Sequence, residues 1–283
     1  MTASVAIPTR KRRSQSDTSG IGPTGRMVLG SISGLLLMLL IAPMLVLLLM
    51  SFSNADFVVF PPTAFSLKWY YKFFAMGDFL SALLTSFEVA VAASLIATLI
   101  GLPAAYVLVR RRFPGRRALA AVFLSPLMVP QIIVGVGLLQ LYTALGGANS
   151  LTGLVMAHVV AVLPYVIRTV GAALSTTNVS IEEAAADLGA SQLEVLAFVV
   201  VPMIKGGVLA AALFALIMSW INVEISIFLT TTGSYTLPVL LYNYMEYSLT
   251  PVVVVAGSVS IVVAVALVAV IDRFIGLSSA MRL

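Results

Sequence analysis

His158 is the only histidine in this chain and cysteine is absent, which excludes disulfides, thiolate metal sites and cysteine nucleophiles together. A zinc or di-iron centre would need a carboxylate cluster, and the 11 acids are too scattered to build one inside the apolar segments. A phosphate-binding loop needs a glycine-rich turn ending in Lys-Ser or Lys-Thr. Lys11, Lys68, Lys72 and Lys205 have no such neighbourhood, so ATP hydrolysis would fall to another polypeptide. His158 has no triad partner at fixed spacing, and its apolar surroundings read first as a hydrogen-bonded helix contact, with a place on the substrate path as the alternative. No catalytic residue and no metal ligand is expected. What remains are polar residues in apolar company, costly to bury and for that reason suspects for function. Glu88, Glu224 and Asn222 are of this kind. Acids with no lysine beside them suit passage of a cation, and Glu224 is the first choice. A purely structural hydrogen-bonding role is the alternative for each.

The elements that must carry these residues follow from composition. Of 283 residues 60% are hydrophobic and 10% charged, and mean hydropathy is +1.09. Soluble domains are about 45–50% apolar and about 25% charged. The spacing predicts an all-α membrane protein, because crossing a bilayer takes about 20 apolar residues in a helix. Six stretches qualify: 27–50, 79–109, 118–145, 151–173, 206–229 and 251–271. The first resembles a secretory signal, with Ser53 and Ala55 as a small-residue cleavage site. Its apolar run exceeds the about 7–15 residues of a signal core, so an uncleaved anchor is expected. Pro126 and Pro130, four apart, would kink one face of the third span, either to line a pathway or for packing alone.

The net charge of +5 resides mainly in two blocks beside apolar segments, which argues for membrane lipid and against nucleic acid as the partner. Arg10, Lys11, Arg12, Arg13 and Arg26 precede the first span; Arg110, Arg111, Arg112, Arg116 and Arg117 follow the second. The positive-inside rule then puts both termini in the cytoplasm. The expected organisation is a basic cytoplasmic tail without fixed structure over 1–26, a six-helix domain over 27–275, and a short cytoplasmic tail over 276–283.

The segment 174–205 breaks the charge pattern. It is a long inner loop carrying Glu182, Glu183, Asp187 and Glu194 against Lys205. Ser180 with Glu183, and Ser191 with Glu194, have the spacing of capping boxes. Gly189 stands where a helix needs a left-handed residue, and Pro202 is expected to end the second helix. Ala184, Ala185 and Ala186 make a small-residue helical surface open to close approach. A lipid-lying helix would be rich in lysine and arginine, so this one reads as a protein-docking element.

Glu183-Ala184-Ala185, then Gly189, Val199 and Val201-Pro202, resemble the EAA loop of ABC-importer permeases. Phe65 to Tyr70, Ser125-Pro126 with Val129-Pro130, Leu163-Pro164-Tyr165 and Thr236-Leu237-Pro238 are similar to segments of the spermidine/putrescine-type subgroup. The resemblance implies type I importer permease architecture in a bacterial cytoplasmic (inner) membrane. It implies that Glu182, Glu183, Ala184, Ala185, Asp187, Gly189 and Pro202 belong to a coupling helix seated on an ATPase. The implied partners are an ATP-binding subunit dimer, a second, homologous permease chain and an extracytoplasmic solute-binding protein. ATP and magnesium would be held by the ATPase, with no cofactor on this chain. The implied cargo is a small organic cation such as a polyamine; opine, thiamine and iron permeases share the same features. An ion-coupled secondary transporter and a membrane scaffold or enzyme are the competing classes, and the acidic capped loop favours neither.

Overall fold

The computed structural model describes residues 23–146, 150–231, 233–247 and 250–275. The basic run Arg10, Lys11, Arg12 and Arg13 and the tail 276–283 lie outside the described residues. Among the described residues the regular structure is helical, with one isolated antiparallel bridge between Ser53 and Phe65. The chain divides into two compact units, Met1–Val46 and Leu47–Leu283.

The first unit carries most of α1 (Pro23–Ser51). The helix starts four residues before the apolar run because Pro23 has its φ already set for a first turn and no N–H to satisfy. Leu35, Met38, Leu39 and Leu40 are exposed along it, a surface suited to hydrocarbon rather than water.

The second unit is built on α3 (Gly77–Arg110), α6 (Leu151–Ser175) and α10 (Lys205–Trp220), which pack on one another. Their contacts are lined by small side chains: Ala93, Ala97, Ala157, Ala161, Ala211 and Ala215 are buried. In lipid no hydrophobic force drives helices together, so close backbone approach and dispersion hold them. Gly207 shows how close: a Cβ there would run into the Cβ of Ala173 on α6. A Cβ on Gly101 of α3 would meet Val166 Cγ1 at 2.7 Å.

Among the described residues four helices are long and apolar enough to cross a membrane: α1, α3, α6 and α13 (Pro251–Ile275). The other two predicted spans differ from expectation. The continuous helix predicted over 118–145 is two pieces bent by 103°. α4 (Arg116–Leu124) runs into a 3-10 turn (Ser125–Leu127), and α5 (Gln131–Ala144) restarts after Pro130. Proline lacks an N–H and clashes with the preceding turn, and here the chain breaks at Pro130 rather than merely kinking. The fifth stretch, predicted over 206–229, ends at Trp220, and a short α11 (Ser226–Leu229) follows a non-helical break. α10 is itself turned by 84° from the helical run Gln192–Met203 that precedes it.

Two helices lie in segments the spacing left as loops. In α2 (Lys68–Ala75), Trp69 and Phe73 are buried. Phe73 stacks on Phe79 at 5.3 Å, and Phe79 on Tyr244 of α12 (Leu237–Tyr247) at 4.9 Å. These helices are short and amphipathic, so a test for about 20 continuous apolar residues passes over them.

Gly207→Val should separate α10 from α6. Overpacking costs about 1–3 kcal/mol, so a lowered unfolding temperature in detergent and reduced membrane yield are expected, with Gly206→Val as the tolerant control because its site has open space.

Candidate functional site

The acidic inner loop folds as two capped helices. α7 (Val179–Asp187) is capped by Asn178, whose Oδ1 accepts the N–H of Ser180 at 3.1 Å and its hydroxyl at 3.0 Å. This corrects the expected Ser180–Glu183 box: Asn178 has the extended backbone of a cap, and Ser180 is already inside the helix. Gly189 adopts φ +94°, where a side chain is strained. The second box forms as expected: Ser191 Oγ accepts the Glu194 N–H at 3.4 Å, and Glu194 accepts the Ser191 N–H at 2.8 Å. Hydrogen bonds from the Ser191 side chain and backbone hold the Glu194 carboxyl below its ordinary pKa. After α8 (Gln192–Glu194) the chain passes a π-helical turn (Val195–Val200) into α9 (Val201–Met203). Pro202 therefore lies inside the helical run and does not end it; the bend comes at Ile204.

The loop residues divide by direction. Glu183, Ala184, Asp187, Gly189 and Pro202 are exposed and Ala185 is half-buried. The apolar side chains of Leu188, Leu193 and Phe198 are exposed beside them. Glu182 points inward. Its Oε1 accepts from Arg110 Nε at 2.9 Å and Arg110 Nη2 at 2.8 Å, with both side chains at most 10% exposed. Arg110 Nη2 also donates to the Leu174 carbonyl at 2.9 Å and the Thr177 hydroxyl at 2.6 Å. The last residue of α3 thus ties the end of α6, the connection after it and the first turn of α7 into one knot. A cavity of about 420 Å³ opens beside it, walled by Arg111, Arg112 and Arg116 on one side and Glu183, Ala186 and Gln192 on the other.

The second polar place is the break after α10. A cavity of about 190 Å³ is lined there by Gln131, Tyr165, Asn222 and Glu224 among apolar neighbours. Asn222 is buried: its Nδ2 donates to Gln131 Oε1, and its Oδ1 accepts the Ile225 N–H at 3.0 Å. Glu224 is exposed at the same cavity. The two helix breaks, before Gln131 and around Asn222, therefore face each other. Gly135 lets them close: a Cβ there would stand 3.1 Å from the Glu224 carbonyl oxygen. Glu88 is exposed on α3 and does not line this cavity. Gln131 and Gly135 were not singled out from sequence, and Tyr165 was noted only within the segment Leu163-Pro164-Tyr165. Pro130 was a signal for Gln131, since a residue just past a helix-breaking proline has a free side to offer; Arg110 was read only as one of a basic block.

Helices broken at a polar cavity, and a capped acidic helix fastened at one end of the same bundle, define a membrane transport subunit. Residues 97–277 match the family described as binding-protein-dependent transport system inner membrane component, and the chain belongs to that family. It is an integral inner-membrane permease subunit of an ABC importer and not itself an enzyme. It is 32% identical over 235 residues to the putrescine transport system permease protein PotI of Escherichia coli K12, covering 79% of this chain and 83% of that one. It is 30% identical over 226 residues to the spermidine/putrescine transport system permease protein PotC of Haemophilus influenzae, covering 80% and 88%. In fold it is similar to a chain of a bacterial ABC transporter involved in import of the acidic polysaccharide alginate. The TM-score is 0.70, at 18% identity over 89% of this chain and 98% of that one. A chain of the MetNI methionine ABC transporter gives 0.61 at 19% identity, covering 72% and 97%.

Arg110→Met should leave Glu182 buried without its partner and destabilise the protein by about 3–5 kcal/mol. Arg110→Met with Glu182→Met should recover most of that loss in detergent unfolding, because no uncompensated charge remains.

Proposed function

We propose that this chain forms the translocation path of an ATP-driven importer for a small organic cation, a polyamine such as putrescine or spermidine. The observation that carries the cargo reading is the cavity at the paired helix breaks, which has one carboxylate, Glu224, and no basic side chain in its lining. At an effective dielectric of about 20, a carboxylate about 4 Å from an ammonium gains roughly 4 kcal/mol before desolvation. Asn222 and Gln131 add neutral polar groups that can replace water around the amine. The names of the relatives above, at 30% and 32% identity, support the same cargo.

In this reading each bent pair counts as one crossing, giving six spans over 27–275 with both termini cytoplasmic. The basic block after α3 and the acidic loop then share the cytoplasmic side, a placement supported by the Arg110–Glu182 contact. Glu183, Ala184, Asp187 and Gly189, with Leu188 and Leu193 beside them, present the docking surface to an ATP-binding subunit dimer. ATP and magnesium are bound there, on the partner. Glu182 serves the same contact from inside, by holding α7 to the bundle. A second, homologous permease chain completes the path, and an extracytoplasmic solute-binding protein delivers the cargo. α10 leaves this loop and ends at the break that bears Asn222 and Glu224, so movement at the ATPase reaches the cavity through one helix. Glu88, exposed on α3 away from the cavity, is assigned to the outer part of its span.

Four measurements test the reading, three of them in the reconstituted transporter. Glu183→Lys and Gly189→Val should each abolish ATPase stimulation by loaded binding protein while the chain still inserts; unchanged stimulation in both would remove the docking assignment. Glu224→Gln should lower putrescine uptake about tenfold, a loss of about 1.4 kcal/mol, at saturating binding protein. If the cognate binding protein captures only an anion or a neutral sugar, the cation assignment falls. A cysteine placed at Ser66 should react from outside with an impermeant thiol reagent, a clean experiment in a chain with no native cysteine.

A further inference from the structure

His158 lies inside α6 and is 1% exposed. Its Nδ1 is 2.7 Å from Ser219 Oγ of α10, and its Nε2 is 2.9 Å from Ser226 Oγ of α11. Counting protons assigns a direction to each bond. The Ser226 hydroxyl donates its single proton to the Asn222 carbonyl at 2.7 Å, so toward His158 it can only accept. Nε2 therefore carries the ring proton, and in a neutral imidazole Nδ1 is left as an acceptor for the Ser219 hydroxyl. The chain of donation runs from Ser219 through His158 to Ser226 and on to the Asn222 backbone. Asn222 extends it with its side chain, accepting from the Ile225 N–H and donating to Gln131 Oε1 on α5. One imidazole thus connects α6 to the break after α10, and through it to the break before α5.

An apolar side chain of similar volume would fill the space between α6 and α10 without aligning Ser226. Packing alone does not ask for a polar ring here, and polar groups inside a bundle are costly unless each is paired. The group whose position depends on this chain is the non-helical backbone from 221 to 225, and that backbone carries Asn222 and Glu224 to the cavity.

We propose that His158 is a positioning residue for solute selection, its Nε2–H fixing the break that presents Asn222 and Glu224. The proposal rests on the reading of that cavity as part of the solute path. Side-chain length separates the two ring nitrogens: a glutamine amide reaches as far as Nε2, an asparagine amide only as far as Nδ1. His158→Gln keeps a donor for Ser226, while His158→Asn keeps only the partner of Ser219.

The first measurement uses the assembled transporter with Glu224→Cys as its single cysteine and follows the labelling rate with a small methanethiosulfonate reagent. His158→Asn should change that rate about fivefold or more and His158→Gln by less than about twofold. Ser226→Ala should match His158→Asn, and the two combined should do no more than either alone, because both cut one chain. Ser226→Ala removes a single oxygen and carries the test by itself should the His158 variants fail to assemble. The second measurement, with Glu224 restored, is the ratio of putrescine to spermidine uptake at saturating binding protein. It should shift about threefold in His158→Asn and Ser226→Ala and hold in His158→Gln. Equal labelling rates in the asparagine and glutamine variants, or additive effects with Ser226→Ala, overturn the proposal while leaving the Glu224→Gln result to judge the path. A labelling difference with an unchanged uptake ratio overturns the selective role, and the path reading is again judged by Glu224→Gln alone.

Discussion

The guanidinium of Arg110 is the fastening on which the rest of this molecule depends. A buried ion pair survives only where nearly every donor and acceptor is used, since desolvation otherwise exceeds the attraction. Arg110 commits Nε and Nη2 in this way, to the Glu182 carboxylate, the Leu174 carbonyl and the Thr177 hydroxyl. The Leu174 carbonyl belongs to the last turn of α6, where the helix dipole also favours a cation. Because the three acceptors come from the end of one helix, its connection and the start of the next, α7 is held as part of the bundle. A force on its exposed face is therefore passed to α3 and α6 and is not absorbed by a slack loop.

At the other polar place the governing constraint is the backbone. In a membrane, non-helical chain is tolerated only where it is buried in protein or lines a cavity, because its N–H and C=O groups have no water. The interruptions at Pro130 and Asn222 satisfy this together. The Asn222 side chain takes the Ile225 N–H and bonds Gln131, and the absence of a side chain at Gly135 brings α5 against the Glu224 carbonyl. The Asn222 side chain satisfies one backbone N–H within its own break and joins the two breaks through Gln131, and the cavity is what remains between.

What sequence could reveal here divides by range. The apolar runs of α1, α3, α6 and α13 were legible because length and hydropathy alone decide a membrane helix. Gly189 and the Ser191–Glu194 box were legible because capping chemistry is complete within four residues. Asn178 against Ser180 was a choice between two good caps two residues apart, settled by which one keeps an extended backbone. The bend at Pro130 was half visible: proline announced a fault, but its size depends on what α5 finds to pack against. The partners of Arg110 and His158 were not legible at all. They lie 61 to 72 positions away along the chain, and only the packing of α3, α6 and α10 brings them within reach.

The π-helical turn from Val195 to Val200 has a consequence for how such a chain can vary. Val195 and Val200 are both buried, and Leu193 and Phe198 are both exposed, each pair five residues apart. Five is the step of a π-turn and is out of phase with an α-helix. The extra residue keeps Val195 on the buried edge that continues through Val200 to Ile204, and Leu193 and Phe198 on the outer face. Deleting a single codon in 195–200 would let the turn relax to ordinary α-helical winding while the segments on either side keep their faces, because the π-turn is itself where one extra residue is absorbed. Inheritance can therefore drop one residue from this stretch without turning either flank, a freedom that a regular helix does not offer.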